Sequence, residues 1–153
     1  VEDALHATRA AVEEGIVPGG GTAYIRTLDT LNNYLLANEK TMSSDHIIGI
    51  KIVLDAIKSP LTQICINAGV SADVVIDKVR NSENPFYGYN VLTNTYGDMI
   101  EEGVIDPTKV TVSALVNAAS IASLLLTTDA IICDDPDDKP ENGPQMGGMP
   151  GMM

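Results

Sequence analysis

The chain has 153 residues, 44% of them hydrophobic, with no Trp and a single Phe. That length fits one domain of ordinary size with an aliphatic core. Nine Lys and Arg against 21 Asp and Glu leave a formal charge of −12, which argues against a free-standing nucleic-acid binder, because such proteins turn a basic face to phosphate.

Val1, Ala4, Leu5, Thr8, Ala11 and Val12 fall on one helical face, with Glu2, Asp3, His6, Arg9 and Glu13 mostly on the other. This helix is under way at Val1, so the chain reads as a piece of something longer. Gly15 suits a left-handed stop. After "PGGG" at 18–21, Ala23, Tyr24, Ile25, Leu28, Leu31 and Leu35 begin a second amphipathic helix, and 38–43 reads as a loop. Ser44 is expected to cap a third helix reaching about Lys58, apolar enough for more than one face to be buried. Pro60 and Gly69 bracket a short fourth helix, and Ser71 caps a fifth over 72–80.

From Asn81 the texture changes. Residues 87–96 read as a hairpin or irregular β segment rich in Tyr and Gly. "DPTK" at 106–109 predicts a helix start, with Asp106 as N-cap and Pro107 at the first helical position. That helix runs to about Thr127 and carries small residues that let neighbours approach closely. "AIICD" at 130–134 could form an edge strand. Residues 135–153, rich in Pro, Gly and Met, are expected to be disordered.

No signal peptide is evident, and Ala114 to Leu126, interrupted by Asn117, Ser120 and Ser123, is too short to span a bilayer. No membrane contact is expected. Cys65 and Cys133 read as small buried hydrophobes in a reducing compartment. His6 and His46 have no second ligand at metal spacing, so no metal site is expected. The glycine run fits neither common phosphate-loop pattern. It is either an ordinary loop or a close backbone approach to a ligand. Asp3 is either a solvated acid or a carboxylate awaiting a placed substrate. Asn90 suits a turn, and Asp106 is sufficiently explained as a cap.

Taken together, "VEDALHATRAAVEEGIVPGGGTA", "YGYN", "GVIDPTKVTVSAL" and the terminal "GGMPGMM" change that balance. In this order and spacing they resemble the C-terminal part of a group I chaperonin, the sixty-kilodalton class of bacteria and organelles. The resemblance implies a mainly α fold: the end of the intermediate domain over 1–15, the C-terminal half of the helical equatorial domain with a small hairpin over 16–134, and a flexible tail over 135–153. It implies an ATP-driven machine that encloses unfolded polypeptides. Asp3 matches the catalytic aspartate that swings over the nucleotide, and Gly20 the glycine whose backbone lies against it. Asn90, Val91 and Leu92 match the adenine-side segment, and Asp106 the acid that bonds the ribose.

The same resemblance implies ATP with Mg²⁺ and K⁺, whose ligands fall mostly outside this chain. It also implies a homo-oligomeric seven-membered ring, a second ring, a co-chaperonin lid, and a bacterial cytoplasmic, mitochondrial or plastid location. Three departures stand out. Val91 and Leu92 are bulkier than the alanines common in that segment. Thr62 and Ser71 stand where well-known members carry an Arg–Glu ring–ring pair. The Asp-Gly-Thr-Thr-Thr phosphate loop, the Thr-Leu-Gly-Pro segment and the apical domain are not in the sequence. The competing reading is a stand-alone helical interaction module that binds no nucleotide.

Overall fold

The structure is a computed structural model that describes residues 2–133. The chain divides into two compact units, Val1–Asn117 and Ala118–Met153. The described elements are α1 (Glu2–Glu14), β1 (Ile16–Pro18), α2 (Thr22–Asn38), α3 (Ser44–Ala56), α4 (Ser59–Asn67), α5 (Ala72–Asn81), β2 (Tyr87–Asn90), β3 (Thr95–Asp98), β4 (Ile105–Pro107) and α6 (Thr108–Thr127). The expected mainly helical fold with a small hairpin is what the chain adopts.

In the first unit the core is built on α2. Ile25, Leu28 and Leu35 project from one side of it, at spacings that a 3.6-residue period aligns. They pack with Leu54 and Ile57, Leu61 and Cys65 of α4, Val75 and Val79 of α5, and Tyr89 of the hairpin. Leu61, Cys65 and Val79 are fully buried, each large aliphatic side chain contributing about 1.5–3 kcal/mol by leaving water. Arg26 ties the segment before β2 to this helix, donating to the carbonyls of Ser82, Asn84 and Tyr87.

The ends of the helices follow local chemistry. Gly15, at φ +79°, closes α1, its N–H donating to the Ala11 carbonyl at 2.9 Å. Gly69, at φ +71°, closes α4 with a paired cap: its own N–H donates to Ile66 and that of Val70 to Cys65. The left-handed residue turns the chain back so that both terminal carbonyls are satisfied. Ser71 does occupy the N-cap of α5, without a side-chain hydrogen bond.

Several expectations fail. The N-cap of α3 is Ser43, whose hydroxyl accepts from the His46 N–H, rather than Ser44. Only Leu54 of α3 is buried, while Ile48, Ile52 and Val53 are exposed; composition marked apolar faces but could not say how many have a neighbour. Asp106 and Pro107 are not a helix start. They belong to β4, which pairs antiparallel with an unforeseen β1 in the register Ile16↔Pro107, Val17↔Asp106, Pro18↔Ile105. The helix begins at Thr108, whose N–H donates to the Gly15 carbonyl. Three-residue strands carry too little alternation to be read from sequence.

In the second unit α6 continues to Thr127, and residues 128–133 form no strand. The proposed edge strand over 130–134 is therefore not formed in its described part. Cys133 is exposed, not buried. No residue of α6 is buried, and the whole helix, 20 residues, is long and apolar enough to cross a membrane by length and composition. The stretch 114–126 is too short alone, but the helix that contains it also takes in the turns from Thr108. The tail expectation for 135–153 lies outside the described residues.

Candidate functional site

The three glycines between β1 and α2 answer to three different constraints. Gly19 donates its N–H to the Val104 carbonyl at 2.8 Å, and a Cβ there would stand 3.1 Å from the backbone of Val104 and Ile105. Gly21, at φ +79°, is the N-cap of α2, and its Cβ would meet the Leu61 backbone nitrogen at 2.8 Å. Gly20, at φ +65°, would bring a Cβ into ordinary contact and no clash, the nearest atom being the Val104 Cγ1 at 3.8 Å. It is the glycine of the three whose side-chain position is not filled by the chain itself.

Val104 leads into β4, and Asp106 lies two residues on. The two-residue period of an extended chain puts both on one face. Asp106 is half-buried, close enough to Tyr24 in the first turn of α2 that its charge adds to burial in pushing the Tyr24 phenol up. The Tyr24 hydroxyl donates to the Thr111 carbonyl at 2.8 Å. The first turn of α2 is thus held between β4 and the start of α6. Lys109 in that start donates to Glu13 at 2.6 Å, which lowers the Glu13 carboxyl and raises the Lys109 amine, mainly through the hydrogen bond they share.

The hairpin reaches the same place from another side. Its register is Tyr87↔Asp98, Gly88↔Gly97, Tyr89↔Tyr96, Asn90↔Thr95. Tyr89 and the following Val91 pack toward the core. Gly88 faces the other way, and a Cβ on it would stand 2.5 Å from both the Met99 Cγ and the Thr22 Oγ1. Thr22, the first residue of α2, is fully buried, and its hydroxyl has no partner among the described residues. Asn90 shares the Gly88 face, about 7 Å further along the strand.

Asn90 donates its side-chain Nδ2 to Glu102 at 2.8 Å and accepts the Leu92 N–H on Oδ1 at 3.0 Å. Leu92 itself is 89% exposed at the hairpin tip. Gly20, Asp106 and the Asn90 face, dispersed over 87 positions of sequence, are thus gathered around the start of α2.

Asp3 is not gathered with them. It lies exposed in the first turn of α1, twelve residues before Gly15 and so about 18 Å along the helix axis. Among the described residues no hydrogen bond or ion pair reaches its carboxylate. A cleft of about 320 Å³, lined by Leu28, Leu54, Ile76, Lys51, Lys58 and Arg80 among others, contains none of the expected site residues. Among the described residues no cluster of three metal-ligating side chains occurs.

Sequence reasoning missed Glu102, Val104 and Thr22. The usable signal was Gly97, a glycine inside a strand, which marks a close approach by another group. A family model described as the TCP-1/cpn60 chaperonin family matches residues 1–136. A match of that span gives no support to a stand-alone helical module.

Proposed function

The chain belongs to the TCP-1/cpn60 chaperonin family, and we propose that it is the C-terminal part of a group I member, supplying one side of an ATP site. Chaperonins are ring-forming chaperones with ATPase activity. The finer roles follow from the residues. The observation that carries them is the convergence of Gly20, Asp106 and the Asn90 face on the start of α2, from segments far apart in sequence.

At this convergence an ionised Asp106 would accept from ribose hydroxyls. Gly20 would give its backbone to close contact, because its side-chain position is open. Asn90, Val91 and Leu92 would flank the adenine. Among the described residues no Lys or Arg hydrogen-bonds to Gly19–Gly21, Asn90 or Asp106, which suits the base and ribose end of a nucleotide rather than its phosphates. The phosphates, with Mg²⁺ and K⁺, would be held by a loop outside this chain. Asp3, distant here, would reach the nucleotide only when α1 swings inward. Hydrolysis would then be tied to domain closure, since positioning of water is most of what phosphoryl transfer requires.

The exposed Leu115, Val116, Ile121, Leu124 and Leu125 of α6 support the same reading. A row of that size stays soluble only when something covers it, and we assign the cover to the rest of an equatorial domain rather than to lipid. The seven-membered ring, its co-chaperonin lid, unfolded polypeptide as cargo, and a bacterial cytoplasmic or organellar setting belong to this proposal.

In the full-length protein, Asp3→Ala should slow ATP turnover by roughly tenfold or more while leaving ATP affinity nearly intact. Unchanged turnover would remove Asp3 from catalysis. Calorimetry on the 153-residue chain alone should give weak or no Mg-ATP binding, and micromolar affinity would overturn the half-site reading.

A further inference from the structure

We infer that Glu102 is a positioning residue that fixes the Asn90 side-chain amide and thereby sets the purine preference of the site; this rests on the nucleotide reading above. Glu102 lies in the turn after β3, closed by its own N–H to Asp98 at 3.0 Å, Gly103 N–H to Ile100 at 3.2 Å and Val104 N–H to Met99 at 2.8 Å. From there its carboxylate reaches back across β3 to Asn90 on β2. One oxygen accepts the Asn90 Nδ2 at 2.8 Å. The other lies over Gly97, where any Cβ would overlap it.

A second observation points the same way. Gly97 is not among the glycines with positive φ, so its backbone does not call for glycine. A Cβ there would instead meet the end of the Glu102 side chain, which would have to leave its place beside Asn90. An exposed carboxylate with no task is best hydrated pointing outward, whereas this one lies along the strand with its route kept clear.

The amide is fixed from both ends. A carboxylate only accepts and the Leu92 N–H only donates, so Nδ2 must face Glu102 and Oδ1 must face Leu92. One N–H and one lone pair are left, in one spatial order. Adenine presents an amino donor beside ring acceptors, while guanine presents a carbonyl acceptor at the equivalent position. Without Glu102 only the Leu92 N–H orders the amide, and one bond holds it less firmly than two; the more firmly the amide is fixed, the better it discriminates. Glu102 touches no reacting atom, so its effect belongs in nucleotide affinity.

The test compares Mg-ATP and Mg-GTP hydrolysis by the full-length protein. Glu102→Ala and Glu102→Lys should reduce the ATP-over-GTP ratio of kcat/KM by about fivefold or more, through KM rather than kcat. Glu102→Gln, whose Oε1 still accepts, should keep the ratio within about twofold of the parent. Gly97→Ala should reproduce Glu102→Ala and add nothing to it, since the methyl group displaces the carboxylate. An unchanged ratio in Glu102→Ala and Glu102→Lys, or a Gln variant as damaged as Ala, overturns the inference while leaving the nucleotide reading intact.

A ¹⁵N spectrum of the full chain reads the brace directly: the Asn90 side-chain signal should respond to Glu102→Ala and stay near its parent position in Glu102→Gln. No response also overturns the inference. Where the response is present but the full-length protein hydrolyses neither nucleotide, the nucleotide reading falls and the purine preference with it.

Discussion

A Cβ built on Gly21 would stand 2.8 Å from the backbone nitrogen of Leu61, so the start of α2 and the first turns of α4 meet with no room for a side chain. Gly20, one residue earlier, shares the positive φ, but a Cβ on it would make only an ordinary contact with Val104. Gly21→Ala should therefore cost about 3 kcal/mol or more, from left-handed strain plus an unyielding backbone clash. Gly20→Ala should cost about 1–2 kcal/mol, from strain alone. Urea unfolding of the two variants measures the difference. Equal losses would show that the clash at Gly21 is relieved elsewhere.

Thr22 carries a fully buried hydroxyl with no partner among the described residues, wedged against Gly88 and Met99. An unsatisfied buried hydroxyl is penalised by lost hydration. Thr22→Val keeps the shape and removes the polar atom, so thermal unfolding should show a gain of about 1 kcal/mol. A loss of similar size would mean that the hydroxyl has a hydrogen-bond partner in solution.

Arg26 donates to three carbonyls of the segment entering β2. Its guanidinium is held below its usual pKa chiefly by burial. Arg26→Met keeps the apolar stem but leaves the three carbonyls unpaired by charge. Stability should fall by about 2 kcal/mol, with hydrogen exchange rising first at Tyr87 to Asn90.

The Asp98 carboxyl is held below its usual 3.8 by the Asn84 side-chain amide and, opposed by partial desolvation, by the N–H groups of Glu101 and Ile100. A lowered folded pKa means that the ionised carboxylate stabilises the fold, fully so above the unfolded value. The contribution is lost as pH falls below about 3.8 and through the folded pKa. Acid titration should loosen the turn after β3, and Glu102 with it, in the same range. Asp98→Ala should abolish that pH dependence in hairpin exchange rates.

Much of the fold was legible because helices announce themselves. The spacing of Ile25, Leu28 and Leu35 marked α2, and Gly15 and Gly69 marked ends whose left-handed backbone a glycine adopts without strain. The expectation of a helix cap at Asp106 fails for an equally physical reason. Asp followed by Pro is good chemistry for a helix cap, and nothing local reveals that β1 waits 89 residues earlier to pair with it. The apolar surface of α3 and α6 was visible as composition, but which of it is covered depends on neighbours, and composition does not name them.

The candidate site divides in the same way. Its residues Asp3, Gly20, Asn90, Val91, Leu92 and Asp106 could be named through resemblance, yet only the folded chain gathers Gly20, Asp106 and the Asn90 face and leaves Asp3 at the far end of α1. By itself the sequence determined helices, glycine stops and family, because those are written in local spacing and residue type. Tertiary structure decided that a Cβ at Gly97 would meet the end of the Glu102 side chain, that one at Gly21 would meet the Leu61 backbone, and that one at Gly20 would clash with nothing, leaving only its left-handed backbone to call for glycine. A glycine that ends a helix is explained by its own φ, but one that makes room is explained only by the atom its Cβ would meet, and that atom comes from elsewhere in the fold.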